Sequence, residues 1–200
     1  ACERSGVIRD ALIEAGFNAT SCALAPTENP GPHIQGDVLE ILDQGWTDMI
    51  AHPDCTFLTT SAAWAFKDGP YHQKVKPGTL VGESRRVARA EALDFVAKLW
   101  RAPIKRVAIE NPRGTINRYL PFMPPAQYIQ PYQYGDDASK TTGLWLRGFP
   151  PLVPDPANYV KPRMVPREGK PPLPHWANQT DGGYNKLTPS EDRWMERSRT

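Results

Sequence analysis

Asp48-Met49-Ile50-Ala51-His52-Pro53-Asp54-Cys55-Thr56 is the stretch on which the reading of this chain turns. Its first four residues form a run too short and apolar for anything but a buried strand. Pro53 then stiffens the backbone into a turn, and the turn presents a cysteine. Val107-Ala108-Ile109-Glu110-Asn111-Pro112 repeats the plan, with a carboxyl where the first stretch has a thiol. Two strand ends, one offering a thiol and the other a carboxyl, suit covalent chemistry on an electron-poor ring such as a nucleobase.

Outward from these strands, elements alternate. Gly6 to Ala15 sets Val7, Ile8, Ala11, Leu12 and Ala15 at helical spacing, with Gly16 as a natural terminator. Phe17 to Leu24 reads as a short strand ending at Pro26, and Asp37 to Leu42 as one or two helical turns. Arg85 to Arg101 is the clearest helix, with Ala92, Leu93, Val96, Leu99 and Trp100 on one face and Pro103 beyond its end. Thr141 to Leu146 is a further strand. This rhythm predicts an α/β fold, a mostly parallel sheet with helices on both faces, over residues 1–148. Ligands of such sheets sit at the carboxyl ends of the strands, where Cys55 and Glu110 fall. From Phe149 the chain turns proline-rich and polar. Residues 149–200 read as a C-terminal extension without a domain of its own, extended over 149–189, with periodicity returning at Ser190 to Arg199.

The totals fit one domain of 200 residues with a real core, 40% hydrophobic and 23% charged, unusual only in its 22 prolines. No apolar run approaches the roughly 20 residues that span a bilayer, so no membrane partner is expected. The first residues lack the apolar core of a signal peptide, which makes the cytoplasm the default. A net charge of +2 neither requires nor excludes nucleic acid. Three widely spaced cysteines (Cys2, Cys22, Cys55) argue against a disulfide framework and for a reducing compartment.

Each candidate residue has a plainer alternative. Cys55 suits a nucleophile for C6 of a pyrimidine, because addition there makes C5 nucleophilic; equally, it is a small apolar residue behind a turn. Glu110 suits a carboxyl beside ring N3, or with Asn111 a turn or helix cap. Cys2-Glu3-Arg4-Ser5-Gly6 leads into a helix and can turn backbone N–H groups toward a ligand, or Ser5 simply caps that helix. His52-x-x-Cys55 with Cys22 or His33 contains donor types for a metal. The chain has neither a Cys-x-x-Cys pair nor His-Glu-x-x-His, and no metal site is expected. Arg85, Arg86 and Arg89 read as a solvated helix face, or as phosphate contacts.

Taken in order, these segments resemble the DNA cytosine-C5 methyltransferases over most of the chain, and especially a compact branch found in phages and prophages. Ala1 to Gly6 looks like that family's cofactor loop and Gly36-Asp37-Val38 like its acidic motif beside the adenine. His52-Pro53-Asp54-Cys55-Thr56 is similar to the Pro-Pro-Cys catalytic loop, Glu110-Asn111-Pro112 to Glu-Asn-Val, and Lys140 to Leu146 to the arginine-bearing strand. The resemblance implies a Rossmann-like class I methyltransferase fold with a proline-rich C-terminal extension. It implies S-adenosylmethionine as cofactor and C5 of a cytosine in DNA as methyl acceptor, flipped out of the duplex. By it Cys55 is the nucleophile, Glu110 holds or protonates N3, and Lys140 substitutes in part for the arginine. Cys2, Glu3, Ser5, Gly6, Asp37 and Pro53 fall to the cofactor, Asp37 at the adenine end. A bacterial or phage-infected cytoplasm is the implied location.

Departures from the family pattern carry expectations of their own. Asp54 stands for the second proline and adds a negative charge beside the thiol, which should weaken it as a nucleophile. Ala23 falls where the branch has an acidic residue for the ribose, and Lys140-Thr141-Thr142 lacks the arginine. Set against the family, the chain begins inside the cofactor loop and stops before a helix that closes the pocket. A large recognition insert is missing; only the stretch from Phe149 occupies its place. Loose recognition, a partner protein that reads the sequence, or a smaller substrate such as a free pyrimidine nucleotide would each account for that. The rival readings are a catalytically degenerate member that binds nucleic acid or nucleotide, and an enzyme modifying free pyrimidine nucleotides.

Overall fold

The computed structural model describes residues 1–72 and 74–179, so the periodic stretch Ser190 to Arg199 lies outside the described residues. In chain order the elements are α1 (Val7–Glu14), β1 (Ser21–Ala23), β2 (His33–Gln35), β3 (Asp48–Ala51), α2 (Gly82–Arg101), β4 (Arg106–Pro112), α3 (Ile116–Tyr119), β5 (Gln127–Ile129), β6 (Thr142–Arg147), β7 (Arg163–Arg167) and β8 (Lys170–His175). The chain is a mixed α/β protein whose sheets contain parallel pairs. It divides into two compact units: Ala1–Gln127 with Gly143–Pro150, and Tyr128–Thr142 with the chain from Pro151 onward. Among the described residues no helix is long and apolar enough to cross a membrane.

In the first unit, β3 and β4 run parallel in the register Asp48↔Arg106 through Ala51↔Ile109. Met49, Ala51, Val107 and Ile109 are all buried, which is why both strands read as continuous apolar runs. Arg106 forms a two-pronged ion pair with Asp48 at the start of both strands, its Nη2 donating to Oδ2 at 2.7 Å. β6 lies on the other side of β4 and buries Trp145. A second parallel pair, β1 with β2, holds Ser21 opposite His33 and Ala23 opposite Gln35. Ala1 to Glu3 links the two pairs. The Ala1 amine donates to the Ile50 carbonyl (2.6 Å), the His52 N–H donates to the Ala1 carbonyl (3.0 Å), and the Glu3 N–H donates to the Cys22 carbonyl (3.1 Å).

Two of the predicted elements differ in the structure. Helix α1 does form, but its one buried side chain is Arg9, while Val7 and Ile13 are exposed. The Arg9 guanidinium donates to Ser21 Oγ, Thr27 Oγ1 and the carbonyls of Asn29 and Pro30, over 3.0–3.3 Å, and pins the 27–31 loop to the helix. The strand predicted over Phe17 to Leu24 shrinks to Ser21–Ala23, and Phe17 is exposed. The turn predicted at Asp37 to Leu42 is a single 3-10 turn at Val38–Glu40, capped by the Asp37 carboxylate, which accepts the Leu39 N–H at 2.9 Å.

Helix α2 follows its pattern closely. Leu93, Val96, Ala97, Leu99 and Trp100 face the core, Ala92 packs at its margin, and Asp94 pairs with Lys98 one turn on. It starts three residues before the apolar pattern does, at Gly82, where Ser84 Oγ donates to the Val81 carbonyl. Leu58, Val96, Leu99, Val107, Ile109, Ile116 and Trp145 form the fully buried centre.

The second unit has little of this. β7 and β8 form an antiparallel hairpin inside the stretch read from sequence as extended chain. Tyr132 stacks on Trp176 with ring centroids 4.6 Å apart, and Ser139 and Asn178 exchange two hydrogen bonds of 3.0 Å.

Candidate active site

β4 outlasts β3. The last paired residues are Ala51 and Ile109, yet β4 continues for three more, so Glu110, Asn111 and Pro112 overhang the point where the other strand becomes a loop. That overhang meets the loop. His52 Nδ1 lies 3.3 Å from Glu110 Oε2, and the fully buried Asn111 donates through Nδ2 to the Pro53 carbonyl at 2.8 Å. Glu110 therefore sits within the strand rather than beyond its end, and its neighbour is His52, the first loop residue after β3.

Cys55 stands in the turn that follows. Its carbonyl accepts the N–H groups of Leu58 (3.0 Å) and Thr59 (3.1 Å), which curls residues 55–59 into a compact turn. A third tie holds this turn to the chain beyond β4: Thr115 donates its N–H (2.8 Å) and its Oγ1–H (3.1 Å) to the Leu58 carbonyl. Gly114 crosses so close that a Cβ there would overlap that same carbonyl, so only glycine fits. From the other side, Arg85 of α2 donates to the Thr56 carbonyl (3.2 Å) and spreads over the rings of Phe57 and Phe66. The cysteine loop is thus fastened to two elements, with the thiol and Glu110 on adjoining backbone segments.

Asp54 is held within the turn by Thr56. Its Oδ1 accepts both the N–H (2.9 Å) and the hydroxyl (2.6 Å) of Thr56, so the carboxylate folds forward as the cap of the turn. The other two thiols are poorly placed for nucleophilic work. Burial pushes the Cys2 thiol up to about 11 and raises that of Cys22 as well. None of the three cysteines is in a disulfide.

The remaining residues expected at the site divide as follows. Glu3 accepts the Gly6 N–H (2.6 Å) and the Ser5 hydroxyl on its Oε1, which closes the loop before α1. Gly6 has φ +78°, and Ser5 Oγ accepts the Val7 N–H at 3.3 Å. Cys2 is in the left-handed region, φ 57°. Pro53 is buried, and Asp37 is exposed beyond β2. Lys140 belongs to the second compact unit, two residues before β6. His52 is the residue that the sequence reading weighed only as a metal donor. The sequence carries no register for the two strands; the pairing of Asp48 with Arg106 is what sets His52 level with Glu110. Its Nε2 is buried without a hydrogen-bond partner, as is Asn111 Oδ1. Among the described residues, no group of three His, Cys, Asp or Glu side chains converges as a metal site.

A cavity of about 390 Å³ lies elsewhere in the first unit. Its wall is mostly apolar, with Cys22, Ile34, Val38, Trp46, Met49 and Ile104 among its residues, and it touches Glu3 and His52 but neither Cys55 nor Glu110. The overhang and its loop bring Glu110, His52 and Cys55 onto adjoining backbone segments, while the cavity wall carries Cys22, Glu3, Asp48 and His52. No protein-family model, curated protein or solved structure matches this chain.

Proposed function

We propose that this chain is an S-adenosylmethionine-dependent methyltransferase that acts on C5 of cytosine in DNA through a covalent cysteine adduct. The observation that carries the reading is the overhang of β4. It holds Glu110 and Asn111 against His52 and Pro53, so that a carboxyl and a thiol border one loop. In this scheme Cys55 Sγ adds to C6 of the ring, and the electron pair moves toward C5. Glu110, as the protonated carboxyl, donates its proton to N3 as the electron pair enters the ring and takes it back when the thiolate leaves. His52, on the far oxygen of that carboxyl, is a positioning residue for it. Bound S-adenosylmethionine supplies the electrophilic methyl group that C5 accepts. Loss of the C5 proton to solvent then expels the thiolate and restores both the ring and Cys55.

The parallel strands and the rim at their carboxyl ends also support a Rossmann-like arrangement. Hydrogen bonds join Glu3 to Cys22, Gly36 to Ala23 and His52 to Ala1, which gathers the 3–6 loop, the end of β1 and the start of the cysteine loop along one rim. Asp37 at that rim is exposed and has lone pairs beyond the one it lends to Leu39, which fits the donors of an adenosine. Glu3 to Gly6 would approach the amino-acid end, while Ala23 offers the ribose no polar side chain.

Ala23 favours a second reading, a catalytically silent relative that binds nucleotide or nucleic acid. Titration of S-adenosylmethionine into the protein, followed by methyl transfer to duplex DNA, separates the two. Turnover eliminates the silent reading. Cys55→Ser should then abolish both transfer and covalent trapping on a 5-fluorocytosine duplex; full transfer by that variant would sink the adduct mechanism.

A further inference from the structure

The hairpin β7–β8 is an unusual pair of strands. Between Lys161 and His175 it carries Lys161, Arg163, Arg167 and Lys170 against a lone acid, Glu168, and four prolines besides Pro162. Pro166 sits in β7, and Pro171, Pro172 and Pro174 sit in β8. Prolines have no N–H to offer a further strand, and the pairing is already irregular between Val165 and Arg167. Both edges are therefore blocked against another β-strand, whether from a second copy or from an extended peptide.

The base of the hairpin is held firmly, in contrast to its tip. Trp176, directly after β8, stacks on Tyr132 and donates through Nε1 to the Val160 carbonyl (3.3 Å). Asp137 accepts from Arg163 (3.3 Å) and from the Ala177 N–H (2.9 Å). Beyond this base, Met164, Pro166, Arg167, Glu168, Gly169, Lys170, Pro171 and Pro172 are all exposed. Arg167 keeps its fork fixed across the turn by donating Nε (3.0 Å) and Nη2 (2.8 Å) to the Pro171 carbonyl. An anchored, two-stranded ribbon with a basic tip and proline-blocked edges has the shape and charge to meet a polyanion.

We propose that this ribbon is a duplex-DNA-binding arm, its tip lying in the major groove with Lys161, Arg167 and Lys170 on the flanking phosphates. The major groove of B-form DNA is wide enough for a two-stranded ribbon, whereas the deep, narrow major groove of A-form RNA is not. Arg163 is left to its structural partner Asp137. The arm stands independently of methyl transfer, because phosphate contacts need no particular chemistry at the base.

The test is fluorescence anisotropy of the full chain on a duplex containing no cytosine, repeated over a range of salt. Each phosphate contact contributes about 0.9 to the slope of log K against log salt. The triple variant Lys161→Ala, Arg167→Ala, Lys170→Ala should bind at least tenfold more weakly in low salt, with a slope shallower by about 2 to 3. These side chains are exposed, so the fold should survive their loss; single reversals, Arg167→Glu and Lys170→Glu, repeat the measurement with less change to the chain. Unchanged slopes in all variants overturn the proposal. So does double-stranded RNA that binds as tightly as DNA and loses affinity equally in the variants. DNA binding through the ribbon without any methyl transfer leaves this inference standing and removes the enzymatic one. Methyl transfer with an unaltered salt slope in the triple variant does the reverse.

Discussion

Cys55 differs from the other thiols through its surroundings. Burial disfavours the thiolates of Cys2 and Cys22, and Cys55, half-buried like Cys2, lies in a turn next to the exposed Asp54. Brief alkylation of the native protein near pH 8 should therefore modify Cys55 ahead of Cys2 and Cys22, as read by peptide mass spectrometry. Labelling of Cys2 first would contradict the assignment of nucleophile. Asn111 is the other decisive residue. It is fully buried, and its Nδ2 is what ties the overhang to Pro53. Asn111→Ala leaves that carbonyl unpaired and opens a small void, at a cost of about 1–3 kcal/mol. Denaturant unfolding should register the loss, and activity should fall with it because the loop is no longer fastened; an unchanged midpoint would deny the tie its importance.

At the scale of elements, the β3–β4 pair is closed at one end by an ion pair and outrun at the other by the last three residues of β4. Hydrogen bonding from Arg106 holds the Asp48 carboxyl below its usual range. A depressed folded pKa stabilises the native state above the unfolded value of about 3.9, and that stabilisation fades as pH falls through the folded value. The pair thus contributes at neutral pH and withdraws below about pH 4. Asp48→Asn should lower thermal stability at pH 7 and narrow the difference between pH 7 and pH 3; parallel melting-temperature curves for the two proteins would show that the pair is silent. Both partners are partly exposed, so high salt should also shrink the effect.

For the whole molecule, the division of apolar burial is what matters. Among the described residues, the buried hydrophobic cluster, from Cys22 to Trp145, lies within the first unit, while those of the second unit bury little beyond Ala138 and His175. Local opening free energies follow buried contacts, so the two units should differ in protection. Hydrogen exchange should leave the β4 amides protected close to the global limit and release those of β7 and β8 much sooner. Equal protection in both would show that the hairpin draws on stability its packing does not reveal.

Much of this was written in short-range pattern. The runs at 48–51 and 107–109 could only be buried strands, and the face of α2 followed from its 3.6-residue period. Tertiary structure alone decided the rest, because it turned on contacts between residues far apart in the chain. Arg9, outside the set Val7, Ile8, Ala11, Leu12 and Ala15 that the spacing picked out, is that helix's buried residue because the 27–31 loop supplies carbonyls to its guanidinium. His52 gained a role only when parallel register set it level with Glu110, 58 residues away. Periodicity reports which way a side chain faces along its own element; only the fold determines what stands opposite.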